Sequence, residues 1–326
     1  ELENGLTVYL MKNSNLPLVK GQAYIKSGTI FDPDEKTGLA EIASTLLRTG
    51  GAAGRTPKEI NRKLEYLAAS IEMGVSGSYT MAHFSSLSDN INEILNLFND
   101  ILRKPDFKSE RFEIARQKME ESVRRRNDQP AQIAVREFVK KMTEGHPSGD
   151  FPTIKTLNNI KRKDLISFHE KYFQPQNIVM AITGDFQKSK MLSLLKKTLG
   201  TWKPEKVNYP EIPEFNKNPN PKVYHVQKPF KQSIILLGHP AIKFDNDKYA
   251  ALNLANRILG GTGGSRLFKE IRSKRGLAYS VGSQLTQGFD YPGYFYAFAI
   301  SRADKTGTVI ELILSEIKKI TQEKVT

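Results

Sequence analysis

Apolar positions recur along this chain in two rhythms that take turns, every second residue and every third or fourth. Residues 6–11 and 18–25 follow the first and read as strands, while residues 39–47 follow the second and read as a helix stopped at Gly50-Gly51. The next helix declares its start in its residue types. Thr56 suits the cap, Pro57 the first helical position and Glu59 the return bond of a capping box, so a helix is predicted from there to about residue 67. Residues 70–75 and 79–87 alternate as a hairpin does. Helices are predicted at 91–102, 109–126, 133–142 and 163–172, then a strand at 178–182 and a helix at 188–199.

Residues 203–221 break the rhythm, with prolines at 204, 210, 213, 219 and 221 among Asn and Lys, the composition of an extended linker. Beyond them the pattern restarts. Phe31-Asp32-Pro33-Asp34 recurs as Phe244-Asp245-Asn246-Asp247, Gly50-Gly51 as Gly260-Gly261, and Leu67-Ala68-Ala69-Ser70-Ile71 as Leu277-Ala278-Tyr279-Ser280-Val281. The last two matches share an offset of 210 and the first sits at 213, so three matches in order point to a duplicated domain. The expected organisation is a first domain at 1–202, a linker at 203–221 and a second copy at 222–326. That second copy stops inside a helix starting near residue 306 and reads as truncated.

Composition narrows the chemistry. The 326 residues are 39% apolar, enough for two cores, and no run of eighteen apolar residues predicts a membrane span. The absence of cysteine excludes disulfides, thiolate metal sites and cysteine nucleophiles. A net charge of +14 raises nucleic acid as a partner. Yet the richest basic stretch, 103–126, interleaves Asp106, Glu110, Glu113, Glu120 and Glu121, as a solvated helix face does, so no nucleic-acid partner is expected. The chain starts at Glu1 rather than Met, which leaves the compartment open between periplasm and cytoplasm. Histidines at 83, 146, 169, 225 and 239 form no metal-spaced pair, and the glycines of residues 260–266 lack the Lys-Ser or Lys-Thr of a phosphate loop.

Residues 265–281, SRLFKEIRSKRGLAYSV, join a basic amphipathic helix to an apolar strand through one glycine. Leu267, Phe268 and Ile271 fall on one side with Arg272 on its flank, and Gly276 suits a left-handed stop. Leu277, Tyr279 and Val281 are expected on one face of the strand. This run resembles the arginine and tyrosine motif of the pitrilysin (insulinase) family of zinc peptidases, and Gly38-Leu39-Ala40 resembles the start of that family's zinc helix. The resemblance covers essentially the whole chain. It implies an α+β fold of two homologous domains, each a mainly antiparallel sheet with helices packed on it.

In active members, Gly-Leu-Ala precedes His-x-x-Glu-His. Two imidazoles on one helix face share a zinc ion, and the glutamate takes the proton from the metal-bound water. Here Glu41 and Thr45 stand at the imidazole positions and Ser44 at the base position, while the family's third ligand falls at Glu121 or Ser122. Serine is no base near neutral pH and threonine is a poor zinc ligand, so neither a metal nor a catalytic residue is expected in this chain. Glu72-Met73 also replaces the Asn-Ala that active members carry beside the scissile bond. By resemblance, Arg272 and Tyr279 bind the substrate backbone, the one through fixed donors and the other through a hydroxyl on a rigid ring. Division of these motifs between subunits is known in the family. The implied role is a catalytically silent, substrate-binding subunit of a heterodimeric peptidase, with a zinc-bearing partner and a peptide as ligand. The alternative is a non-enzymatic subunit like the core proteins of respiratory complexes, with the motif as a leftover.

Overall fold

The computed structural model describes residues 1–216 and 220–324; Pro219 of the proline-bearing segment and the last two positions of the second copy lie outside the described residues. The chain divides into two compact units, Glu1–Arg124 with Asp150–Ile212, and Arg125–Gly149 with Pro213–Thr326. The division falls inside the predicted linker. It also takes residues 125–149 out of the first domain, where chain order puts them, and packs them in the second unit.

In the first unit, strands β1 (Thr7–Lys12), β2 (Leu18–Ile25), β3 (Ser70–Val75), β4 (Thr80–Leu87) and β5 (Ile178–Gly184) form one sheet in the order β1-β5-β2-β4-β3. Only the β1–β5 pair is parallel; β2 runs antiparallel to both β5 and β4, and β3 to β4. Strict alternation along β2, with Val19, Ala23 and Ile25 buried, turns one face of the sheet to the helices. Helices α1 (Leu39–Thr49), α2 (Pro57–Tyr66) and α3 (Ile91–Arg103) cover it, and α4 (Ser109–Arg125) follows. Phe98 of α3 meets Phe84 of β4 edge-on at 5.2 Å, both fully buried. The capping box forms as its residue types predict, with Glu59 N donating to Thr56 Oγ1 and Thr56 N to Glu59 Oε2.

The second unit holds α5 (Pro130–Met142), a three-stranded antiparallel sheet of β6 (Gln232–Pro240), β7 (Ala278–Leu285) and β8 (Tyr294–Arg302) in the order β6-β8-β7, and helices α9 (Tyr249–Leu259) and α10 (Thr306–Gln322). Helices α6 (Ile154–Asn159), α7 (Arg162–Tyr172) and α8 (Lys188–Lys197) lie between, in the first unit. Aromatic packing draws α5 here, since Phe138 sets its ring 5.9 Å from Tyr294 and 5.6 Å from Tyr296. On the opposite side of β8, Phe295, Ala297 and Ala299 join Leu267, Ile271, Val309 and Ile313 in the core. The order β6-β8-β7 repeats β2-β4-β3, so the duplication seen in the sequence is a duplication of fold.

Candidate functional site

Helix α1 begins at Gly38, which sits at φ +108°, a conformation that favours glycine, and is packed so closely that a Cβ there would fall 2.9 Å from Leu157 and 3.2 Å from Met119 of α4. Its cap comes from outside the helix. The Asp32 carboxylate accepts from Gly38 N at 2.8 Å and from Ala40 N at 2.9 Å, satisfying donors that the first turn leaves open. Desolvation nonetheless outweighs these donors and raises the Asp32 carboxyl to about 7. In the sequence Asp32 stands out only as part of a repeat; the glycine at 38, where a capping side chain would otherwise sit, is the one sign that an upstream side chain is needed as cap.

From that start the period of 3.6 sets what α1 presents. Glu41 and Thr45 share its exposed face, whereas Ser44 is buried at 3% and belongs to the core-facing side. Glu41 reaches solvent, yet the protein around it removes enough water to raise its carboxyl above the usual range. Glu121 is exposed on α4, in a stretch where Glu120 holds both Arg116 and Arg124. This donor set does not fit zinc. A buried serine and an exposed threonine stand where a base and an imidazole are needed, and among the described residues no three His, Asp or Glu side chains come close enough to hold a metal ion.

The second unit builds something different at the corresponding junction. Between Gly264 and Gly276 the helix widens into a π-turn, Phe268–Ser273, marked by a hydrogen bond that spans five residues, from Lys274 N to Lys269 O at 2.9 Å. Leu267 and Ile271 are fully buried and fix the turn against the sheet. Gly276 then stops it at φ +61°, with its own N donating to Arg272 O and Leu277 N to Ile271 O. The wide turn leaves Arg272 outward. Its guanidinium lies 5.0 Å from the Phe268 ring and 5.7 Å from the Tyr279 ring.

Tyr279 reaches that position through a bulge, which corrects the expectation that it shares a face with Val281. Pairing with β8 skips from Ala278 to Ser280, so Tyr279 is the extra residue and turns out to 76% exposure while Ala278 and Val281 stay buried. Neighbouring charges are already engaged. Glu270 accepts from Arg275 and Lys274, and these two donors draw its carboxyl down to about 2. Among the described residues, Arg272 has no carboxylate within ion-pair distance. The result is an exposed cation held by two rings, with five guanidinium donors and one phenol facing solvent.

Two family models divide the sequence between them. Insulinase (peptidase family M16) matches residues 7–150, and the peptidase M16 inactive domain matches residues 159–326. The chain belongs to the M16 family. An uncharacterized zinc protease of Rickettsia felis is 25% identical over 99% of this chain and 78% of its own length, and the uncharacterized zinc protease YmxG of Bacillus subtilis is 24% identical over 86% and 68%. Among solved structures, an M16 inactive domain from Pseudomonas fluorescens superposes with a TM-score of 0.94 at 25% identity, over all of this chain and 79% of that one. A protease from Helicobacter pylori gives 0.89 at 21%, over all of this chain and 80% of that one. The chain thus carries two M16 domains, of which residues 159–326 are of the inactive-domain type, and its relatives are named as zinc proteases. No helix among the described residues is long and apolar enough to cross a membrane.

Proposed function

We propose that this M16 chain is a catalytically silent subunit that binds extended peptide through Arg272 and Tyr279 and works with a zinc-bearing M16 partner. The observation that carries this reading is the cation held between Phe268 and Tyr279 on a π-turn and a bulge. Both irregularities turn a side chain out to solvent while its neighbours stay in the core, and such features concentrate at functional sites. A guanidinium fixed by two rings loses less freedom when it meets a peptide carbonyl, and the Tyr279 hydroxyl supplies a second polar contact. On α1, by contrast, the residues needed to activate water are replaced by Glu41, Ser44 and Thr45.

The test is reconstitution with a zinc-bearing M16 homologue and a peptide substrate. Peptidase activity is expected only in the mixture, falling about tenfold or more with Arg272→Ala, in line with the loss of a charged hydrogen bond, and less with Tyr279→Phe. Undiminished activity in both variants would remove the proposed roles. Assembly without any peptide-dependent activity would favour a structural subunit instead.

A further inference from the structure

One turn before Arg272, the same segment borders a cleft of about 460 Å³ that the peptide-binding reading does not use. Arg257, at the end of α9, lines it together with Thr262, Gly264, Ser265, Arg266 and Lys269. No acidic residue lines it. Arg266 lies 3.9 Å from the exposed Glu323, while among the described residues neither Arg257 nor Lys269 has a carboxylate within ion-pair distance. Three cations are therefore gathered in one concavity with a single weak counter-charge.

The hydroxyls sharpen the picture. Ser265 is only 3% exposed, and its Oγ is buried with no hydrogen-bond partner among the described residues. An unsatisfied buried hydroxyl costs stability unless something accepts or donates to it. Gly263 has open space around it and a Cβ at Gly264 would meet only Thr262 Oγ1, at 4.0 Å, so the loop lets a ligand approach the backbone closely.

The geometry points to an anion site, in which Arg257, Arg266 and Lys269 together with the Ser265 and Thr262 hydroxyls bind the phosphate group of a small phosphorylated molecule. Two forked guanidinia and an ammonium suit a multiply charged tetrahedral oxyanion better than a single carboxylate. The cleft is roomier than a bare phosphate needs and falls in the size range of small-molecule sites, which leaves space for the moiety that carries the group. This differs from a P-loop, whose lysine follows the glycines at a fixed spacing that residues 260–266 lack. The binding here comes from side chains on both sides of the turn.

Calorimetric titration of the whole chain with inorganic phosphate and pyrophosphate tests the site. Saturable one-to-one binding is expected, tighter for pyrophosphate, with Arg257→Gln and Lys269→Gln each weakening it about three- to fivefold, the scale of one partly exposed ion pair. Ser265→Ala, which removes an unpartnered hydroxyl and should not harm folding, is expected to weaken it as well. Lys243→Gln, an exposed lysine of the same unit outside the cleft, should leave binding unchanged. No saturable binding, or equal losses for Lys243→Gln and Lys269→Gln, would show only the diffuse attraction of a +14 chain and overturn the site.

Discussion

The two repeats of this chain share a topology and differ at the same junction. In the first, a regular α-helix with a capping box leads through Ala68, at φ +46°, into a straight edge strand. In the second, the helix widens and the strand bulges. At the shared offset of 210, Arg272 corresponds to Arg62, but Phe268 corresponds to Lys58 and Tyr279 to Ala69. The second unit adds the rings, and the rings turn an ordinary helix arginine into a held one. A second difference lies at the other side of the sheets. In the first unit β2 is central because β5 pairs with it and carries β1 along; in the second, β6 pairs with β8 alone among the described residues. Residues 222–227, placed before β6 as β1 is before β2, join no strand, and Val223, Tyr224 and Val226 are exposed.

The comparison breaks most visibly in the cores. Ile271→Ala in the π-turn and Leu64→Ala in α2 should each lower stability by about 2–5 kcal/mol in urea denaturation, as cavity formation at a buried aliphatic does. A loss well below that for Ile271 would mean that the π-turn is not fixed by its packing.

Asp32 gives a smaller, pH-dependent difference. Its folded carboxyl is raised to about 7 from 3.8, so the folded state holds the proton more tightly. Stability from this group is full below pH 3.8 and is lost as pH rises through 7. Because part of Asp32 still reaches solvent, the loss should be on the order of 1–2 kcal/mol, visible as a falling urea midpoint between pH 4 and 7 that Asp32→Asn flattens. A parallel pH profile in the variant would contradict the assignment. The smallest effect is the ring itself. Phe268→Leu should cost about 0.5–1 kcal/mol of cation–π contact, read as greater motion of the Arg272 Nε–H in NMR relaxation, whereas Lys58→Leu should leave Arg62 unchanged.

Much of this fold is legible in residue types, and the reasons are local. The capping box at Thr56, the stop at Gly276 and the alternation of β2 all follow from bonds or burial within a few residues. The duplication is legible because both copies keep the same punctuation. What periodicity misses is set by tertiary packing. A π-turn and a bulge each insert one residue into a regular pattern, so the expectation that Tyr279 and Val281 share a face fails by one position. Residues 125–149 leave the first unit because Phe138 finds aromatic partners on β8, more than 150 residues later. At the candidate site, the replacement of the zinc residues is readable directly; the burial of Ser44 and the cap from Asp32 are not.

The central claim is that the first repeat has lost the metal chemistry while the second has kept a substrate grip. Its most direct measurement is zinc content and peptidase activity of the purified chain, alone and mixed with a zinc-bearing M16 homologue, with and without chelator. The account predicts no bound zinc and no activity alone, and chelator-sensitive activity in the mixture that Arg272→Ala diminishes. One zinc per chain with chelator-sensitive activity in the absence of any partner would contradict it.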